Sequence, residues 1–225
     1  MSLKIDDIYS LNILQPLLNG HPYLPFTGSS LRPFCLNYIL NDIIVNNRKS
    51  IIEFGSGIST IMIGRLIKVN KLKAKFLSIE HNYDWANVLS GILKTEGLKD
   101  VIEIQYVPLE SCKLSIENNQ WYKLENLNDV TKNKFFDMVI IDGPPAWEAN
   151  KSKSRYPAIP FIWDKLASSF SVFLDDASRL GEKNVIQLWE NNFDIRFSIV
   201  GNTLGYYHKG SSYYLEPFVY YYHSE

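Results

Sequence analysis

Two patterns of apolar residues alternate along this chain. Leu31, Phe34, Cys35, Tyr38, Ile39 and Ile43 recur at spacings of three and four, the period of a helix with one buried face. Ser50 to Phe54 is instead a short apolar run that stops at Gly55-Ser56-Gly57. That reads as a buried strand followed by a tight turn. A helix with Ile63, Leu66 and Ile67 on one face follows. The alternation then repeats. Residues 75–79 predict a strand ending at Glu80, and Trp85, Val88, Leu89, Ile92 and Leu93 a helical stripe closed by Gly97. Residues 101–107 predict a strand stopped by Pro108, and 109–134 form a polar excursion around Trp121-Tyr122. Phe136 to Ile141 predicts a strand ending in Asp142-Gly143-Pro144-Pro145. Pro160, a favoured first-turn residue, predicts a helix running through Trp163 and Leu166. A strand over 171–174 ends in Asp175-Asp176; a helix over 182–191 and a strand over 195–200 complete the pattern.

Strands that are apolar throughout, separated by helices, predict an α/β fold. Its sheet is doubly wound, mostly parallel and covered by helices on both faces. Ligands of such sheets bind beyond the carboxyl ends of the strands. Four of these ends carry acids: Glu53, Glu80, Asp142 and Asp175-Asp176. One acid would be ordinary solvation of a strand end; four predict a shared site.

The remainder bounds the picture. With 225 residues and 46% hydrophobic positions, the chain can bury one sizeable core. Residues 1–30, broken by Pro16, Gly20, Pro22, Pro25 and Gly28, read as an irregular N-terminal segment. Its stretch 25–30 is placed to fold over the site as a lid, and residues 31–225 form the main domain. Lys and Arg number 23 against 24 Asp and Glu, a net charge of -1. This argues against bulk attraction to nucleic acid or an anionic membrane. Cys35 and Cys112 are too few for a disulfide framework or a structural zinc site. The start, Met1 to Asp7, lacks the apolar core of a signal peptide, and no run approaches a membrane span. The expectation is a cytoplasmic domain. Tyr206-Tyr207, Tyr213-Tyr214 and Tyr220-Tyr221-Tyr222 read as a sheet edge or a contact within a homodimer. His208 reads as structural.

The glycine loop narrows the ligand. A dinucleotide fingerprint asks for a third glycine where this chain has Thr60. Glu53 lies two residues before Gly55; a carboxylate would repel a pyrophosphate and attract an ammonium or sulfonium. Glu80 ends the next strand, where an acid accepts hydrogen bonds from ribose hydroxyls. No Lys follows Gly57 to make a phosphate-binding loop. A ribose diol with a cationic group and no diphosphate fits S-adenosylmethionine better than NAD or ATP, which disfavours an NAD-linked oxidoreductase.

On these residues the chain resembles class I S-adenosylmethionine-dependent methyltransferases over roughly residues 50–200. Glu53-Phe54-Gly55-Ser56-Gly57-Ile58-Ser59-Thr60 is similar to their glycine-rich first motif, and Glu80 to the ribose-binding acid. His81 and Asn82 match the border of the adenine, and Pro108-Leu109 the point where the third strand closes over it. The run from Phe136 to Pro145 is similar to the fourth motif, whose acid faces the transferred methyl group. Asp142-Gly143-Pro144-Pro145 with Arg155-Tyr156-Pro157-Ala158 resembles a little-characterised bacterial group of that superfamily. The resemblance implies a Rossmann-like methyltransferase sheet. It implies a cofactor held by Glu53, Gly55, Ser56, Gly57, Ser59, Thr60, Glu80, His81, Asn82, Pro108 and Leu109. Asp142 and Asp176 would be catalytic, and Asp175, Arg155 and Tyr156 would face a small-molecule acceptor.

Two readings of the acids stay open. In metal-dependent O-methyltransferases of the catechol type, acids at these two strand ends hold a divalent cation that binds the acceptor hydroxyls. Oxygen ligands would suit Mg²⁺. Here the Asp-Asn pair of that family is Asp175-Asp176, and Pro144 follows Asp142-Gly143; both departures count against a metal. In the other reading Asp142 or Asp176 is a general base or orients the acceptor hydroxyl. Arg155 either meets an anionic acceptor or braces the Asp142 loop, and Arg179 is a surface partner of Asp175. Trp121-Tyr122 either lines the acceptor pocket or anchors the core. His81 reads as a cofactor contact, because no second His is spaced for zinc. The expected activity is O-methylation of a small molecule or sugar. The alternatives are an aminopropyl transferase and a non-catalytic nucleotide-binding scaffold. Asp142-Gly143-Pro144-Pro145-Ala146-Trp147 lacks the spacing of the nucleic-acid amino-methyltransferases.

Overall fold

A computed structural model describes residues 5–217. Five strands are parallel neighbours: β1 (Ser50–Phe54), β2 (Lys75–Glu80), β3 (Ile102–Tyr106), β6 (Phe136–Ile141) and β7 (Leu166–Leu174). Two short strands, β4 (Leu109–Glu110) and β5 (Trp121–Tyr122), form a separate hairpin. Beyond β7 the chain adds β8 (Ser198–Val200) and β9 (Leu204–Lys209), with β9 antiparallel to both β7 and β8. The order across the sheet is β3-β2-β1-β6-β7-β9-β8. Winding therefore reverses between β1 and β6, which makes their carboxyl ends the switch point where ligands bind in such folds.

Period-two alternation builds a core on each face. Ile51, Phe76, Met138, Ile140 and Phe173 pack against α3 (Pro33–Val45), α4 (Ile58–Val69) and α5 (Tyr83–Glu96). Ile52, Phe54, Leu77, Val139, Ile141 and Leu174 pack against α6 (Leu124–Thr131), α7 (Ala158–Ile162) and α8 (Leu180–Phe193). This is the doubly wound sheet that the apolar runs predict.

Four expectations need correction. The first thirty residues carry helices α1 (Ile5–Ile13) and α2 (Gln15–Leu18). Pro16 sits in the first turn of α2, where its missing N–H costs nothing. α1 is fixed by buried Asp7, which accepts from Arg32 Nη2 at 2.6 Å and from the Phe34 amide at 3.3 Å. The polar excursion folds as the β4–β5 hairpin and α6. The helix around Pro160 ends at Ile162, and Leu166 already begins β7. Tyr206-Tyr207 lie in β9, between two strands rather than at an edge; the edge is β8. Tyr38 and Phe173 pack on Tyr206. His208 pairs with Ser171 and stacks on Tyr206. Tyr220-Tyr221-Tyr222 and Met1 to Lys4 lie outside the described residues. Among the described residues, no helix is long and apolar enough to cross a membrane.

Arg65, on α4, ties the N-terminal segment to α4 and α5. It is 1% exposed, donates to Glu96 through Nε and Nη2 at 2.7 Å each, and caps the Leu17 and Pro22 carbonyls. Removing one partner of a buried pair strands the other. Arg65→Ala is expected to cost about 3–5 kcal/mol, read from urea unfolding; a loss within error of zero would show that the pair does not hold this segment.

Candidate functional site

β1 is followed by Gly55, whose φ of +97° is open to glycine and strained for other residues. Its amide donates to the Ile79 carbonyl at 2.9 Å, and the Asp142 amide donates to the Phe54 carbonyl at 2.9 Å. These bonds lace the ends of β1, β2 and β6 together. A Cβ on Gly55 would lie 2.7 Å from the Gly143 nitrogen and 2.8 Å from the Asp142 carbonyl carbon. The glycine loop and the Asp142-Gly143 turn are thus pressed backbone to backbone.

Glu80, 3% exposed, accepts from the Ser56 amide at 3.1 Å and from the Asn82 amide at 2.7 Å. Asn82 caps α5 through the Trp85 amide. His81 Nδ1 lies 3.0 Å from Glu80 Oε1 without the alignment of a hydrogen bond. Trp85 Nε1 donates to the Ser56 carbonyl at 2.9 Å, so α5 also holds the loop from outside.

Glu53 lies beneath this loop. It is fully buried and accepts from Ser59 Oγ and Thr60 Oγ1 at 2.5 Å each and from Ser78 Oγ at 2.7 Å. Thr60 Oγ1 also accepts from the Gly57 amide, and Ser56 Oγ is 2.7 Å from Ser78 Oγ. Glu53 and Thr60 are not among the residues lining the cavity above. Any effect of Glu53 on a ligand there runs through the loop and its field.

Burial pushes the Glu53 carboxyl up from 4.5 to about 7, and the three hydroxyls pull it back only in part. The folded chain therefore keeps a proton that the unfolded chain releases. This group's stabilisation is full below pH 4.5 and is lost as pH rises through about 7. Glu53→Gln removes that loss. The variant's stability relative to the native chain is expected to be about 2–3 kcal/mol more favourable near pH 8 than near pH 5. Urea unfolding at both pH values measures this; equal differences would contradict it.

The cavity has a volume of about 760 Å³, within the range of small-molecule sites. It is lined by Gly55, Ser56, Gly57, Ser59, Glu80, His81 and Asn82, and by Asp142, Arg155, Asp176 and Arg179. Residues 27–31 with Leu24 and Pro25 form a wall. Trp85, Val88, Leu89 and Ile92 also line it, although the sequence pattern marks them as one buried helical stripe. Trp147, 65% exposed, lines it too. The apolar stripe was legible in the sequence. The signal that could have flagged Trp85 is its place in the first turn after Glu80.

At the carboxyl ends of β6 and β7, carboxylate oxygens of Asp142, Asp175 and Asp176 lie within 4.8 Å of one another. Burial and then the Asp175 charge push Asp142 well above the usual carboxylate range, against the pull of Arg155. Burial and the Asp176 charge push Asp175 up to about 6. Arg155, 3% exposed, runs between the ends of β6 and β7. It donates through Nε to the Pro144 carbonyl at 3.3 Å and through Nη1 to the Asp175 carbonyl at 3.0 Å. Its Nη2 donates to the Asp142 carbonyl at 3.0 Å and to Asp142 Oδ1 at 3.2 Å. Of the two roles open to Arg155, the contacts are those of a brace. Arg179 meets Asp176 at 2.9 Å and Glu182 at 2.5 Å, so its partner is not Asp175.

Besides Glu53 and Thr60, four expected site residues do not line the cavity. Tyr156 turns to α8, where its hydroxyl accepts from Asn192 and its carbonyl from Trp189. Pro108 and Leu109 belong to the β4–β5 hairpin, with the Pro108 carbonyl taken by the Lys123 amide. Asp175 is 8% exposed and is not a lining residue. Trp121 and Tyr122 are fully buried against Phe54, which is the core-anchoring role; the Tyr122 hydroxyl abuts Gly143.

No known family model and no curated protein matches this chain. Solved structures do. The S-adenosylhomocysteine-bound Podospora anserina methyltransferase PaMTH1 is similar over 93% of this chain and 89% of its own, with TM-score 0.60 and 12% identity. An O-methyltransferase from Bacillus cereus, also bound to S-adenosylhomocysteine, is similar over 92% and 91%, with TM-score 0.55 and 15% identity. The O-methyltransferase TomG of Streptomyces achromogenes, involved in tomaymycin synthesis and solved with S-adenosylmethionine, is similar over 93% and 92%, with TM-score 0.55 and 13% identity. At these identities the likeness is one of fold: a doubly wound, mostly parallel α/β sheet.

Proposed function

We propose that this chain is an S-adenosylmethionine-dependent methyltransferase acting on a hydroxyl of a small molecule. The observation that carries the reading is one cavity at the sheet's switch point. The glycine loop, Glu80 and Asp142 all line it, with Asp142 directly against the loop. The cofactor would supply a methyl group already activated on a sulfonium. Ser56 and Gly57 offer backbone donors, Glu80 accepts from the ribose, and residues 24–31 close over the ligand. Pro108 and Leu109 act only through the hairpin behind the site.

Methyl transfer asks mainly for positioning. Asp142 orients the acceptor hydroxyl and takes its proton; a carboxylate raised by burial is a stronger base than an exposed one. Asp176, at the open end of the cluster, contacts the rest of the acceptor. Arg155 makes four hydrogen bonds to the protein. The acceptor end also counts four acids, Asp142, Asp175, Asp176 and Glu182, against two arginines. Both features favour a neutral or cationic acceptor over a phosphate or carboxylate.

The test is incubation with S-adenosylmethionine and a panel of phenols, sugars and their phosphates. The expected result is S-adenosylhomocysteine with a neutral hydroxylated acceptor. Absence of turnover across the panel, with tight binding of 5′-methylthioadenosine, would favour aminopropyl transfer. That second reading gains weight because Glu53 sits beneath the loop and does not itself read the amino-acid end of a ligand.

A further inference from the structure

The acids at the ends of β6 and β7 are the kind that hold a divalent cation in metal-dependent O-methyltransferases, and their oxygens lie close enough together to do so. Their surroundings do not fit one. Arg155 Nη2 is 3.2 Å from Asp142 Oδ1, and its Nη1 is 3.8 Å from Asp176 Oδ2 and 3.8 Å from Glu182 Oε1. Arg179 Nη2 is 2.9 Å from the same Asp176 oxygen. An ion bound to Asp142 Oδ1 at the usual ~2.1 Å would lie within about 5 Å of a guanidinium that cannot lose its proton. Like charges that close, and largely buried, repel strongly.

We infer that Arg155 is a resident cation in this site. Its guanidinium lies against the same carboxylates that a divalent ion would need, and it positions Asp142 for the acceptor without one. Three features beyond charge support this. The fork spans the Asp142, Pro144 and Asp175 carbonyls, so it fixes the ends of two strands and not one side chain. The Arg155 side chain is 4% exposed, and its guanidinium faces the acids it neutralises. A lysine could not replace it, because a point charge cannot serve carbonyls and carboxylate in one plane. Arg155 is a positioning residue: it acts on the acceptor through Asp142.

The inference rests on reading this end of the cavity as the acceptor end. Its test uses neither acceptor nor cofactor, so its failure and the failure of the methyl-transfer reading are separable. The native chain, freed of metal with EDTA, is titrated with Mn²⁺ and free ion is followed by electron paramagnetic resonance. Its melting temperature is measured with EDTA and with Mg²⁺. The expected results are no stoichiometric Mn²⁺ uptake and no shift in melting. Arg155→Met uncovers the acids. It is expected to melt lower, to take up one Mn²⁺ per chain, and to regain melting temperature with Mn²⁺ or with low concentrations of ethylguanidinium. A merely structural arginine would give the lower melting without the metal uptake or the rescue. Uptake of one Mn²⁺ by the native chain, abolished in Asp176→Asn, overturns the inference; so does an Arg155→Met variant that folds and binds no metal. If Arg155→Met does not fold, Arg155→Gln takes its place, and if that also fails the native titration decides alone.

Discussion

Gly55→Ala is expected to abolish binding of S-adenosylhomocysteine and to destabilise the chain by about 2–5 kcal/mol. Two independent terms add. Alanine must adopt a φ of +97°, a strain of roughly 1–2 kcal/mol. Its Cβ would also meet the Gly143 nitrogen at 2.7 Å, the Asp142 carbonyl carbon at 2.8 Å and the Asp142 oxygen at 2.9 Å. These are backbone atoms and cannot rotate aside, so the two turns must part, at about 1–3 kcal/mol. Parting them moves the loop away from Asp142. Gly57→Ala is the control. Gly57 is extended at φ -164°, and its Cβ would meet only Ser59 Oγ, at 4.0 Å. It should keep nearly all of its stability. Urea unfolding and calorimetry on both variants make the comparison. A Gly55→Ala chain that binds and unfolds like the native one would show that the two turns are not a unit.

Asp142→Asn is expected to lower turnover by about 10²–10⁴-fold while leaving cofactor affinity nearly unchanged. Asparagine keeps the shape and can still accept from Arg155, but it cannot take a proton. The pH dependence carries the same test. Burial and Asp175 hold Asp142 above the usual carboxylate range, so native turnover should rise with pH along a limb displaced upward from that of an exposed aspartate. Asp142→Asn should erase the limb. Equal pH profiles in the two proteins would assign the proton to solvent and leave Asp142 an orienting role only.

The sequence made the sheet legible for a physical reason. Strands buried on both faces are continuous apolar runs, and β1, β2 and β6 announce themselves that way, whereas β3 at the sheet edge alternates Ile102 and Ile104 with Glu103 and Gln105. The start of β7 does not: Leu166 and Ala167 are followed by Ser168 and Ser169, and the register to β6 is irregular there. α1 and α2 are short and owe their order to distant partners, Asp7 to Arg32 and the Leu17 carbonyl to Arg65, which no local pattern encodes. β4 and β5 are two residues each, too short to show a period.

The site was legible as a set of strand ends but not in the direction of each side chain. Glu53 could have been placed. It shares strand parity with Ile51, whose face packs against α4, and it pairs in register with Ser78. That parity points the carboxyl under the first turn of α4. Tyr156 could not have been placed, because only the path of α8 decides that it faces away from its neighbour Arg155. Arg155 itself stood in a motif with two readings, and only its distances to three carbonyls separate them.

In the proposed function, the cavity between the glycine loop, Glu80 and Asp142 takes an adenosyl sulfonium and its product. Calorimetric titration with S-adenosylhomocysteine, with NADH as the control, tests it most directly. The expected results are saturable binding of S-adenosylhomocysteine at one site per chain, loss of that binding in Gly55→Ala, and no comparable heat from NADH. Tighter binding of NADH, or no binding of S-adenosylhomocysteine, would contradict it.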